Sequence, residues 1–380
     1  MDNIFITNLT IKKIRHLKNI SIPLSEKQMK HLILTGKNGS GKTSIVEALA
    51  KYLSKIFTGE RETAFRNCQN ELDIKLNNKM DTIPRLAEKN HYILAYYGAA
   101  RVFQADQPKQ IEKVQLRDYY DLTEFPRKEF VKYLLDLKMT EMLARNKNKT
   151  EKADEIQEWF EKLEQLLKKI FDDETVILEF DEDTFEFHIM QQGKEPFGFN
   201  TLSSGYQAVF DIILDIMMRM QCQTQRSFVF KIPGIVIIDE IDAHLHLELQ
   251  KNILPYLTTF FPNIQFIVTS HSPFILNSIK DAVIYDLENK ILVEHGLNDV
   301  PYDGIVEGYF RADKLSDTLK EKYTKYRYLV KKKKLSDEEL NEIAELELYL
   351  DEIPDYLAIG IATEYKRMKL EFMNREDVDG

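Results

Sequence analysis

Residues 36 to 44 read Gly36-Lys37-Asn38-Gly39-Ser40-Gly41-Lys42-Thr43-Ser44, a full match to G-x-x-x-x-G-K-[ST]. Glycines at these spacings let the backbone turn tightly enough for successive N–H groups to point into one concavity. Phosphate oxygens placed there meet the positive end of the following helix. The Lys42 ammonium would reach the β- and γ-phosphates of a nucleotide, and the Thr43 hydroxyl would ligate Mg2+. Gly36, Asn38, Gly39, Ser40, Gly41 and Ser44 complete this expected cradle.

Two further constellations sit at the ends of apolar runs. Gly234-Ile-Val-Ile-Ile is followed by Asp239-Glu240, and Gln265-Phe-Ile-Val by Thr269-Ser270-His271. Adjacent side chains on a strand diverge, so the two acids have separate tasks: Asp239 holds Mg2+ through water, and Glu240 orients and deprotonates an attacking water. His271 is placed to touch a γ-phosphate oxygen or that water. An apolar run ending in Asp-Glu is common by itself, and a lone histidine is more often structural. The upstream glycine loop gives both a shared purpose.

These side chains need elements to hold them. His31 to Thr35 reads as a buried strand, and Ile45, Val46, Leu49, Leu53 and Ile56 recur at helical spacing through 43–57. Strands ending in polar tips, alternating with amphipathic helices, predict an α/β fold with its site at the strands' carboxyl ends. Leu202-Ser203-Ser204-Gly205-Tyr206-Gln207 opens another apolar-periodic helix. Residues Ile6 to Ile20 alternate as a hairpin with Arg15 in its turn.

The order of glycine loop, Leu-Ser-x-Gly, Asp-Glu strand and strand-borne His resembles the ABC-type ATPase heads of the RecF and SMC class. Their fold is a P-loop mixed sheet with flanking helices. The resemblance implies that Ser203, Ser204 and Gly205 contact the γ-phosphate held by the opposite subunit, so that a homodimer, or a higher even-numbered oligomer, sandwiches ATP. It places the early hairpin, and Arg15, beside the adenine. It also implies a glutamine on Mg2+ between the glycine loop and the Ser-Ser-Gly segment, for which Gln104 is the choice and Arg101 an alternative phosphate contact. Ser204 replaces the first glycine of the family's Leu-Ser-Gly-Gly-Gln, and Tyr206 stands where Gln or Glu is usual. Tyr97-Gly-Ala-Ala-Arg101 and Asp239-Glu-Ile-Asp-Ala-His244-Leu-His246 look most like compact AAA-type ATPases of bacterial anti-phage defence, the Septu-type and retron-associated ones.

On this reading residues 1–104 carry an N-terminal lobe with the glycine loop, 105–194 a helical insertion, 195–296 a C-terminal lobe, and 297–380 a helical docking segment. Phe130, Tyr133, Leu134, Leu137, Ile156, Phe160, Leu163, Leu166 and Leu167 predict a short helical hairpin turning near Asn146 to Lys149. Lys147, Lys149 and Lys152 would either grip DNA or simply face solvent. Toward the C-terminus Leu315, Leu319, Tyr323, Leu340, Ile343, Leu346 and Leu350 are helix-periodic, with Ser336 and Glu339 as a capping box. His244 and His246 read as loop residues of the dimer interface rather than metal ligands, and Asp377 and Asp379 carry little weight at a terminus.

Length bounds the rest: at roughly 150 residues per domain, 380 residues make two or three domains, or one large domain carrying insertions. With 52 Lys+Arg against 62 Asp+Glu the net charge is −10, so no global positive field draws the chain onto nucleic acid, and such binding would be local or shared with a partner. The two cysteines, Cys68 and Cys222, lie far apart without C-x-x-C spacing, which predicts a reduced cytoplasmic setting and no structural zinc. No signal segment and no membrane span are expected. The chain lacks the acidic cluster of the overcoming-lysogenisation-defect nucleases. The expectation is therefore an ATPase that dimerises around ATP, senses nucleic acid or a phage component, and controls a separately encoded effector such as a nuclease. The alternatives are a RecF-like repair ATPase that binds DNA directly and, less in keeping with the insertion, a transporter ATPase.

Overall fold

Alternating apolar residues near the N-terminus build two paired strands, β1 (Ile6–Ile14) and β2 (Leu17–Pro23), joined by a turn in which Arg15 has φ +51°. The buried run follows as β3 (His31–Thr35), and the glycine loop leads into α1 (Lys42–Phe57), whose apolar stripe is buried. The computed structural model describes residues 3–57, 64–79, 82–83, 91–108, 110–117, 119–122, 124–221, 224, 227–301, 304–305, 317–351 and 359–375. Cys222, Leu315, Asp377 and Asp379 lie outside the described residues.

The chain then continues through α2 (Ala64–Glu71), β4 (Leu72–Leu76), β5 (Ile93–Tyr97), α3 (Phe130–Asn146), α4 (Thr150–Phe171), β6 (Ile177–Asp181), β7 (Glu186–Met190) and α5 (Ser204–Gln221). After these come β8 (Gly234–Ile238), α6 (Leu247–Phe260), β9 (Ile264–Thr269), α7 (Pro273–Leu276), β10 (Ala282–Asp286) and β11 (Ile291–Val293). All of them fall in a first unit, Met1–Tyr302.

Six strands form the principal sheet in the order β11-β10-β3-β9-β8-β5, parallel except for the antiparallel edge strand β11. A second, antiparallel sheet has the order β2-β1-β4. Helix α1 packs against strands of both sheets. Because side chains alternate across a strand, Leu32, Leu34, Ile235, Ile237, Ile267, Val283 and Tyr285 share one sheet face. They join Ile45, Val46, Leu49 and Leu53 of α1 and Leu9, Ile11, Ile20 and Ile22 of the smaller sheet in one core. Each such aliphatic, fully buried, contributes about 1.5–3 kcal/mol, and the core fixes where α1 and the loop before it stand.

The insertion is helical over α3 and α4, which turn at residues 147–149 as the spacing predicted. It carries one element beyond that expectation, the antiparallel hairpin β6-β7, with Phe187 and Ile189 buried. The acidic turn Asp181-Glu-Asp-Thr184 had hidden the strand alternation on either side. The second unit, Asp303–Gly380, contains α8 (Asp317–Leu329), α9 (Asp337–Asp351) and α10 (Ile359–Met373) around a core that includes Tyr326, Leu329, Ile343, Leu350, Tyr365 and Met368. The capping box forms: the Glu339 N–H donates to Ser336 Oγ (3.3 Å) and the Ser336 N–H to Glu339 Oε2 (3.1 Å). No described helix is long and apolar enough to cross a membrane.

Candidate functional site

Strands β3, β9 and β8 are adjacent and parallel, so their carboxyl ends meet at one edge of the sheet. The glycine loop, Thr269 to His271 and Asp239-Glu240 all leave from that edge. In the loop Gly36, Gly39 and Gly41 have φ of +132°, +83° and +101°, conformations that L-residues rarely adopt. The Ser40 hydroxyl oxygen is buried beside them with no hydrogen-bond partner. Such an orphan costs about 1–3 kcal/mol, and within a ring of turned backbone at a helix N-terminus it suits a phosphate oxygen. Thr43 is exposed and Ser44 half-buried in the first turn of α1.

Lys42 is buried and folds back onto its own loop. Its Nζ donates to the carbonyls of Gly36 (2.8 Å) and Lys37 (3.3 Å) and lies 2.6 Å from His271 Nε2. Burial lowers the Lys42 pKa, with Glu240 and Asp239 as the nearest compensating charges. His271 is lowered as well, by burial first and the Lys42 charge second. The structure therefore joins the cradle to the third strand by direct contact.

Asp239 is buried, and its Oδ1 accepts the Thr269 hydroxyl at 2.6 Å. The same hydroxyl oxygen accepts the Glu240 N–H at 2.7 Å. Glu240 is half-buried with φ +46°, a left-handed backbone conformation rare for a residue other than glycine. Arg101 Nη1 donates to the carbonyl of Asp239 (2.5 Å) and Nη2 to that of Glu240 (2.6 Å). Thr269 was not singled out in the sequence; the one available clue was a hydroxyl residue ending a wholly apolar strand next to the histidine. Among the described residues no cluster of three or more His, Cys, Asp and Glu is arranged to hold a metal by itself. A Thr hydroxyl and a nearby carboxylate beside phosphate oxygens nonetheless form the oxygen-donor set that suits Mg2+, with water completing the shell.

Two expected contacts take a different form. Arg15 is exposed at the hairpin tip, while His16, Leu17 and Lys18 beside it line a cleft of about 560 Å3 with Lys37 to Ser40 and Glu288. Gln104 is exposed and makes none of the hydrogen bonds that hold Asp239 and Glu240. Arg101, three residues earlier, makes them through carbonyls.

Ser203 and Ser204 are exposed at the start of α5, and neither lines that cleft. Gly205 is buried: a Cβ there would meet the His244 carbonyl oxygen at 3.1 Å and Leu249 Cδ1 at 3.4 Å. The Tyr206 ring packs on Phe171 (centroids 4.5 Å apart) and on His246 (6.0 Å). His244 and His246 thus lie beside the Ser-Ser-Gly turn. Farther along α5, Asp215 accepts from the Tyr97 hydroxyl (2.8 Å) and Arg219 Nε (2.7 Å), and Arg127 pairs with Asp211. Burial raises the Asp211 carboxyl to about 6 despite Arg127. This polar network ties α5 to β5, the strand beside β8.

The sequence has relatives among known proteins. A family model described as "AAA domain, putative AbiEii toxin, Type IV TA system" matches residues 54–277. The chain is 26% identical to the Septu protein PtuA of Bacillus mycoides (strain KBAB4), over 94% of this chain and 51% of that protein. It is 35% identical to the "Retron Ec83 probable ATPase" of Escherichia coli over 37% of this chain and 27% of that protein. It thus spans about half the length of the first relative and about a quarter of the second. The SMC head domain from Thermotoga maritima overlays at a TM-score of 0.36 with 13% identity, over 73% of this chain and 94% of that one.

Proposed function

The chain belongs to the AAA-domain family whose model spans residues 54–277, and on that premise we propose that it binds ATP with Mg2+ at the glycine loop and hydrolyses it. The observation that carries this is the meeting of Lys42, His271, Asp239 and Glu240 at one sheet edge, around an unpartnered Ser40 hydroxyl.

Backbone N–H groups of Gly39 to Lys42 and the α1 N-terminus receive the phosphates, and Lys42 exchanges its loop carbonyls for phosphate oxygens. Thr43 and, through water, Asp239 would hold Mg2+, which would supply charge neutralisation at the phosphates. Glu240 accepts the proton of the attacking water, and His271, freed from Lys42, turns to the γ-phosphate side. The cleft beside Leu17 takes the base and ribose.

Residues 1–104 and 195–296 serve as the two lobes of an ABC-type head. Ser203 and Ser204, exposed at the N-terminus of α5, supply donors to the γ-phosphate of a second copy, so ATP closes a homodimer. Closure is favoured because the γ-phosphate makes contacts available only in that state. Likeness to Septu and retron ATPases supports a role in anti-phage defence, in which the dimer controls a separately encoded effector, a nuclease in our reading. The exposed Lys147, Lys149 and Lys152 at the α3–α4 turn favour a second reading, direct DNA binding as in RecF-type repair.

The test is to measure Mg2+-dependent ATP binding and phosphate release for wild type and Lys42→Ala, with a DNA gel shift across salt concentrations. ATP bound equally well by Lys42→Ala removes the cradle assignment. Tight, steeply salt-dependent DNA binding by this chain alone moves the reading to repair.

A further inference from the structure

Arg101 is 3% exposed and lies after β5, the strand beside β8, far in sequence from the acids it contacts. Its guanidinium donates to the carbonyls of Gly98 (2.8 Å), Asp239 (2.5 Å) and Glu240 (2.6 Å). Burial lowers its pKa, and the largest offsetting charge is Asp211 of α5, followed by Asp239, Asp242 and Glu240. A planar fork with fixed donors can hold two successive carbonyls at a set angle, which a point-charge ammonium cannot do.

What the fork holds is unusual backbone. Glu240 has φ +46° although it is not glycine, and such a residue costs of order 1–3 kcal/mol unless its surroundings hold it there. Thr269 takes the Glu240 N–H and Arg101 takes its C=O, so the residue is gripped from both sides. That grip fixes the backbone from which the Glu240 side chain leaves.

From this geometry we infer that Arg101 is a positioning residue for hydrolysis: it sets the backbone of Glu240 so that the carboxylate can face the attacking water. The inference rests on Glu240 being the base of the proposed ATPase. The role differs from a phosphate contact in that both terminal nitrogens of the guanidinium are engaged by carbonyls of Gly98, Asp239 and Glu240, while Nε is buried without a partner.

The experiment compares wild type, Glu240→Gln and Arg101→Lys for ATP affinity, kcat and KM. Wild-type hydrolysis slowed about 10²–10⁴-fold by Glu240→Gln is the reference, and its absence overturns the site reading before Arg101 is considered. Given that reference, Arg101→Lys should keep ATP affinity within about threefold while kcat falls about 100-fold, the loss expected when a reacting group is misplaced by about an ångström. A kcat within about threefold of wild type overturns the positioning role, as does a loss confined to ATP affinity. Arg101→Gly assayed with added guanidinium ion is the second variant. Restoration of kcat at unchanged KM is expected, and a folded, ATP-binding Arg101→Gly protein that guanidinium leaves inactive overturns the role.

Discussion

Lys42 Nζ lies 2.6 Å from His271 Nε2, and when the lysine is charged it donates in this contact to a neutral imidazole. Without nucleotide the histidine therefore competes for the lysine that phosphate needs. His271→Ala should leave ATP affinity unchanged or tighter, while kcat falls by about 100-fold as a catalytic contact is lost. Calorimetric titration beside phosphate-release kinetics checks this, and loss of ATP binding would contradict it. Because burial and the Lys42 charge lower the His271 pKa in the free protein, the acid limb of kcat/KM, where His271 sets it, should lie below the titration range of a free imidazole.

Glu240→Gln keeps the shape and the carbonyl oxygen of the residue but removes the base. We expect it to retain ATP, to turn over about 10²–10⁴-fold more slowly, and to accumulate as a dimer with ATP and Mg2+. Light scattering after size exclusion reads the mass. A monomer at saturating nucleotide would remove the sandwich while leaving the cradle intact.

The candidate site residues were legible as candidates because each is the tip of a contiguous pattern. The glycine loop is a local motif behind a buried strand, and Asp239-Glu240 and His271 end runs too apolar to be anything but interior strands. What could not be read is non-local. Nothing in the sequence near Arg101 says that its fork will close on carbonyls of residues 239 and 240, because that contact exists only once β5 pairs with β8. Thr269 is hidden for the same reason: its two hydrogen bonds depend on β9 lying next to β8. Strand β4 is five residues long and partly polar, and its place beside β1 follows from the packing of α1 and α2 rather than from its own pattern.

Gly205 offers a steric test of how the Ser-Ser-Gly turn meets the loop after β8. An alanine Cβ would sit 3.1 Å from the His244 carbonyl oxygen, a contact that only a small shift relieves. Gly205→Ala should therefore weaken ATP-driven dimerisation several-fold, and Gly205→Val should abolish it. ATP binding by the monomer should stay within about threefold, since neither change reaches the glycine loop. Dimerisation measured by sedimentation, beside ATP affinity, separates the two. Equal loss of both in Gly205→Val would show a folding defect instead.

His31 opens the central strand with its ring buried, and its Nδ1 accepts the Phe266 N–H at 3.1 Å. Burial lowers its pKa to about 4, against 6.5 for the free group, so the folded protein keeps it neutral while the unfolded chain takes up a proton first. A histidine with a depressed folded pKa gives stability that is fully present above the unfolded value and is lost as the pH falls toward the folded one. Over that interval the loss amounts to about 3 kcal/mol. His31→Asn offers a carbonyl oxygen to the same N–H without a titrating group. Urea unfolding at about pH 7 and about pH 4.5 should show wild type losing more stability than the variant. Parallel pH dependence in the two proteins would mean that His31 is protonated or solvated in the fold.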